Sequence, residues 1–249
     1  MKARMIIGLT LLVVSSLLNG QESSLEKFER YFTWNPDSTS IFAEPDLESE
    51  ELLKLPYGTE VDRLGEFRDK EVSIFIGEID GYYHLPTFWV VVESEGITGY
   101  ALNAEVINFP PMTYEHQSYS IELEDIAIYF NQPVKDTIYY EPWEETNMRV
   151  KYTGYEFPEG SRLLYREFDG CIDRELAPKN KSISQIYMML KTWHFVPKNE
   201  FYKGANQLVF SGQNLKRFLF SPPALSDYQD PFIELIGKKE YKMGSSFCN

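Results

Sequence analysis

Short apolar runs with strand character dominate this chain, and helical spacing shows only twice. The clearest strands are Trp89-Val90-Val91-Val92 and Ile97-Thr98-Gly99-Tyr100-Ala101-Leu102, which flank Glu95-Gly96. Glycine there tolerates the positive φ of a tight turn, so the segment predicts a hairpin. Beyond residue 112, strand-like runs cover 119–123, 126–130, 137–140, 148–152, 161–168, 207–211, 217–220 and 232–236, divided by Asn-Gln-Pro, Glu-Pro and glycine punctuation. Leu25, Phe28, Tyr31 and Phe32 share one helical face behind Ser23 and Glu26, a capping box, and Trp34-Asn35-Pro36-Asp37 stops that helix. Ile183, Ile186, Tyr187 and Leu190 share the other, with Ser182 and Gln185 as its capping pair.

Two features organise these elements. Between residues 63 and 87, runs over 72–77 and 82–85 predict a second hairpin across Glu78-Ile79-Asp80-Gly81, where Asp-Gly favours the turn. Pro110-Pro111 then fixes φ twice and removes two backbone donors, so neither strand nor helix is expected to cross it. The expected layout is an N-terminal helix within 21–37, a small unit over 38–109 and a larger one over 113–249.

The 38–109 unit resembles a bacterial SH3 domain. The likeness rests on Ile41-Phe42-Ala43-Glu44-Pro45, on Leu55-Pro56-Tyr57-Gly58-Thr59-Glu60-Val61, and on Trp89 followed by Gly96-Ile97-Thr98-Gly99-Tyr100. It departs from that pattern where residues 63–87 replace a short loop. The fold class expected is mainly β: an SH3-like small barrel with an inserted hairpin, followed by a β-rich α+β domain. The resemblance implies a unit that binds an extended peptide or a peptidoglycan component. Tyr57, Trp89 and Tyr100 fall where such barrels place groove or core aromatics, and Tyr82 and Tyr83 on the inserted hairpin are further ligand-binding candidates. For Trp89, set between strand residues, packing in the barrel core is the competing reading.

The first twenty residues change where the protein is expected to act. Lys2 and Arg4 precede an uncharged run from Met5 to Leu18, and Asn19-Gly20-Gln21 offers an exit. That run is shorter than the roughly 20 residues a membrane span needs, so residues 1–20 read as a cleavable export signal. Periplasmic or extracellular localisation follows, with no stable membrane span after cleavage. Removing the two cations takes the formal net charge from −14 to −16. Such a chain is repelled by phosphate backbones, which argues against nucleic acid as a partner. The carboxylates are dispersed, and no Asp-x-Asp-x-Asp-Gly loop gathers them for calcium.

Candidate chemistry is thin. Cys171 in Phe168-Asp169-Gly170-Cys171-Ile172-Asp173 is the one nucleophile to weigh, and a thiol enzyme needs a histidine beside it. Only His84, His116 and His194 exist, and the motif expected of cell-wall cysteine peptidases is not met. In an exported chain, Cys171 and Cys248 instead suggest a disulfide, with two separate thiols as the alternative. Serine-hydrolase, phosphate-loop and zinc spacings are absent from the sequence, so no catalytic residue, metal or cofactor is expected. The reading is an exported non-enzymatic binder of a peptide, peptidoglycan or envelope protein. An envelope hydrolase with its site in 113–249, or a structural adaptor in an envelope complex, stand as alternatives.

Overall fold

The computed structural model describes residues 30–76, 83–111, 114–115, 118–119, 135–142, 148–193, 207–211, 214–219 and 228–248. The first half forms seven strands: β1 (Tyr31–Thr33), β2 (Thr39–Phe42), β3 (Glu51–Leu55), β4 (Glu60–Ile76), β5 (Tyr83–Ser94), β6 (Ile97–Leu102) and β7 (Val106–Ile107). They make one antiparallel sheet in the order β3-β2-β6-β5-β4-β1-β7, curled into a half-barrel. The β5–β6 hairpin closes on Glu95-Gly96, with φ of 54° and 77°, two left-handed residues that match the twist of the strands. Ile41, Leu55, Val61, Val90, Val92, Ala101 and Val106 fill the concave face. Gly99 is required by close approach: a Cβ there would lie 2.5 Å from the Phe42 carbonyl oxygen.

One expectation changes here and a second is refined. The helix read across 23–32 does not extend to its C-terminal end, because Tyr31 and Phe32 are strand. Tyr31 pairs with Val61, and Phe32 with Glu60 on one side and Ile107 on the other. Ladder partners on both edges outweigh local periodicity, a tertiary override of a pattern that had only four apolar positions behind it. Residues 21–29 lie outside the described residues. The sheet therefore begins at Tyr31 rather than at 38. The second hairpin, in turn, is the far end of the β4–β5 hairpin itself: Val72 pairs with Thr87 and Ile76 with Tyr83, set off from the barrel by a break in register between Phe67 and Val72. Its turn, with Tyr82, lies outside the described residues.

A short ladder, β8 (Tyr114–Glu115) with β9 (Ser118–Tyr119), follows the prolines. The second sheet comprises β10 (Lys135–Pro142), β11 (Arg149–Glu156), β12 (Arg162–Phe168), β13 (Cys171–Ala177), β14 (Gln207–Ser211), β15 (Asn214–Leu219), β16 (Tyr228–Leu235) and β17 (Tyr241–Cys248). It is antiparallel throughout, ordered β10-β11-β12-β13-β17-β16-β15-β14. The remaining expected strand, 126–130, and most of 119–123 fall outside the described residues. Between β13 and β14 runs α1 (Ile183–Trp193). Its capping box forms as the sequence implies: the Ser182 N–H donates to Gln185 Oε1 at 3.0 Å, and the Gln185 N–H donates to Ser182 Oγ at 3.3 Å.

The two sheets do not keep separate cores. Phe32, Trp34, Ile107 and Phe109 from the first half join Phe157, Leu163, Leu176, Phe218, Ile233 and Met243 from the second in one buried cluster, with Ile186, Met189 and Leu190 of α1 among them. Pro110-Pro111 ends the first sheet in sequence, but the packing runs straight past it. A hydrogen bond from Thr192 Oγ1 to the Trp34 carbonyl at 3.1 Å crosses the seam, and within the first half Trp34 Nε1 donates to the Phe109 carbonyl at 3.1 Å.

Candidate functional site

A polar cleft of about 520 Å³ opens between the half-barrel and the start of α1. One wall is Tyr31 of β1, Arg63, Glu66 and Arg68 of β4, and Phe88 of β5; the other is Pro158-Glu159 and the Lys179–Ser182 turn leading to Gln185. Among the described residues, four cationic side chains and two carboxylates line it, so these give the cleft local positive charge in a chain of net charge −14.

A bulge in β4 creates the arginine wall. Arg63 pairs with Val92 and Gly65 with Val91, so Leu64 is an extra residue, pushed out to solvent. Without it, strand alternation would put Arg63 and Glu66 on opposite faces; with it, both lie on the concave side, opposite Val92 and Val90. Arg63 Nη2 donates to Glu66 Oε1 and Arg68 Nε to Glu66 Oε2, each at 2.7 Å. The hydrogen bond from Arg68 and the two cationic charges hold the Glu66 carboxyl below its usual range, against a smaller opposing effect of burial. Both guanidiniums also face rings, Arg63 5.1 Å from the centroid of Tyr31 and Arg68 3.9 Å from that of Phe88. Across the cleft Lys181 is almost wholly buried, its ammonium donating to the Lys179 carbonyl at 3.1 Å. Gln185 forms the floor and ties the two halves, donating through Nε2 to the Asn103 and Val106 carbonyls at 3.2 and 3.3 Å.

Glu105 sits behind this floor, at the end of a 3-10 turn over Asn103–Glu105. Burial pushes its carboxyl up to about 7, offset in part by the hydrogen bond that Asn35 donates to it at 2.9 Å and by the charge of Lys191. Among the described residues no group of three or more His, Cys, Asp or Glu side chains is placed to hold a metal ion.

The aromatics singled out by the sequence do not share one groove. Trp89 is 1% exposed, with Phe42 edge-on at 5.7 Å, so it packs as core. Tyr100 lies on the same face of the sheet as Trp89, edge-on to Phe67 at 5.8 Å. Tyr57 is elsewhere, edge-on to Trp34 at 5.8 Å and packed against the shared core. Tyr83 starts β5, and Tyr82 lies outside the described residues. Cys171 is disulfide-bonded, and the β13–β17 ladder sets it opposite Cys248, the chain's other cysteine. Its sulfur is thereby withheld from the thiolate chemistry weighed above, and His194 lies outside the described residues. Arg63, Glu66, Arg68 and Lys181 were missed because their convergence depends on the bulge and on the seam between halves, neither of which leaves a mark at short sequence range.

No protein-family model, curated protein or solved structure matches this chain. No described helix is long and apolar enough to cross a membrane.

Proposed function

We propose that this is an exported binding protein whose cleft takes an acidic cell-envelope peptide of the kind found in peptidoglycan stems. The observation that carries the reading is the sign of the cleft: Arg63, Arg68, Lys179 and Lys181 gather on one concave surface of a strongly acidic chain. Electrostatic focusing in such a concavity draws anionic ligands that the rest of the surface repels. Tyr31 and Phe88 add flat apolar faces suited to an extended peptide. The resemblance of residues 38–109 to bacterial SH3 domains supports the same ligand class, although the cleft lies at the seam with the second sheet instead of in a groove of the barrel alone. The export reading of residues 1–20 places the protein where such peptides occur. The disulfide at Cys171 supports both export and a binder over a thiol enzyme.

The test is binding of soluble peptidoglycan fragments by calorimetry at low and high salt. Association that weakens with salt, and falls roughly tenfold or more in Arg68→Glu, is expected. Arg68 is 63% exposed in its side chain, so the fold tolerates the change. Binding that is indifferent to both would place the ligand elsewhere.

A further inference from the structure

We infer that Glu66 is an internal stand-in for a ligand carboxylate, and that Arg63 and Arg68 form the seat this carboxylate takes when Glu66 swings out. The inference rests on the cleft being the ligand site and names the group that the site recognises.

Three observations carry it. First, the bulge at Leu64 turns Arg63 onto the face that carries Glu66, so the pair is a product of the backbone and not of a passing rotamer. Second, the two oxygens of Glu66 are held by different guanidiniums, and each guanidinium faces an aromatic ring. That fixes two planar donors around one carboxylate position, which any ligand carboxylate reproduces atom for atom. Third, exposure differs across the clamp. The Arg63 side chain is only 13% exposed and needs an anionic partner at all times, whereas Glu66 is 43% exposed and can be rehydrated when it leaves. Exchange of one carboxylate for another keeps Arg63 paired throughout. The seat therefore selects ligands by a free carboxylate, and Glu66 sets the affinity by competing for it.

The probe is the tripeptide Ala-Glu-Ala, compared with its C-terminal amide and with Ala-Gln-Ala, titrated into the full chain and into Glu66→Gln. Glu66→Gln is expected to tighten the fully acidic peptide roughly tenfold, the worth of one displaced charge-assisted contact. One of the two controls should lose that gain, which tells a terminal from a side-chain carboxylate. Arg68→Gln supplies a second readout if Glu66→Gln folds poorly: it should abolish the discrimination between acid and neutral peptides. Equal binding of all three peptides, or no gain in Glu66→Gln with binding present, would overturn the clamp and leave the cleft reading intact. Failure of every variant to bind either these peptides or peptidoglycan fragments would overturn both.

Discussion

Glu105 carries the clearest consequence of a single residue's surroundings. At 9% exposure it has lost most of its hydration, and the hydrogen bond from Asn35 together with the charge of Lys191 does not restore it. Its carboxyl titrates near 7 in the folded chain against 4.5 as the ordinary value. Between these values the folded state binds more protons than the unfolded one, so stability falls as pH rises from about 4.5 through about 7 and is level beyond. The full effect is about 3 kcal/mol. Glu105→Gln keeps an oxygen to accept from Asn35 and removes the titration. Urea midpoints at pH 5 and pH 8 should therefore differ in the wild type by more than in the variant, and the variant should be the more stable at pH 8. An unchanged pH slope in Glu105→Gln would show that the loss arises elsewhere. Little of this was legible beforehand: Asn103-Ala104-Glu105 reads as a polar turn, and it takes the tertiary packing of β5, β7 and α1 around that turn to bury the carboxylate. Trp89 was legible in part, since its core reading followed from its strand neighbours.

At the scale of elements, the sequence was readable wherever the signal was local. The capping box of α1 and the Glu95-Gly96 turn needed only residues three or fewer apart, and both formed as read. Ser182→Ala should cost about 1 kcal/mol, seen as a lowered melting temperature. β13 and β17 escaped notice because their alternation is broken by charge and small polar residues. Arg174 interrupts Ile172 and Leu176, with its guanidinium set 6.0 Å from the ring centroid of Tyr165, and on the opposite face Asp173 meets Arg166 while Glu175 meets Lys242 across the ladder. These charges look like loop in sequence and become cross-strand pairs in the sheet. The disulfide at Cys171 staples the end of the same strand. Closing the loop between positions 171 and 248 is worth about 4–5 kcal/mol on the chain-entropy account, so Cys171→Ser, or a reductant added to the wild type, should lower the unfolding free energy by roughly that amount. The β4 bulge at Leu64 had no such local sign. Its deletion should rotate Arg63 out of the cleft and weaken peptide binding while leaving β5 and β6 paired.

For the whole molecule, the decisive fact is that the larger of the two buried clusters spans the seam between the sheets. Among the described residues, the concave cluster of the half-barrel is seven residues, most of them valine or smaller, too few to hold a domain of that size by themselves. The larger aromatics lie at the seam: Trp34 against Phe109 at 6.2 Å, and Phe109 edge-on to Phe157 at 5.8 Å. A fragment of residues 36–110, cut at the prolines as the sequence invites, loses β1 and with it Phe32 and Trp34. It also leaves Leu85, Ala104, Ile107 and Phe109 facing water and strips Asn103 and Val106 of their hydrogen bonds from Gln185. Extending it to 30–111 restores β1 but exposes Trp34 instead. Neither fragment should unfold cooperatively, whereas the intact chain should show one transition in which both halves melt together, followed by near-ultraviolet circular dichroism from the seam aromatics. A cooperative transition in the 30–111 fragment near the melting temperature of the whole chain would mean that the half-barrel stands alone and that the cleft is a contact between two independent domains. Because one wall of the cleft comes from each side of the seam, the expected result also makes binding and folding inseparable: peptide binding should vanish in both fragments, although Arg63, Glu66 and Arg68 are all present in them.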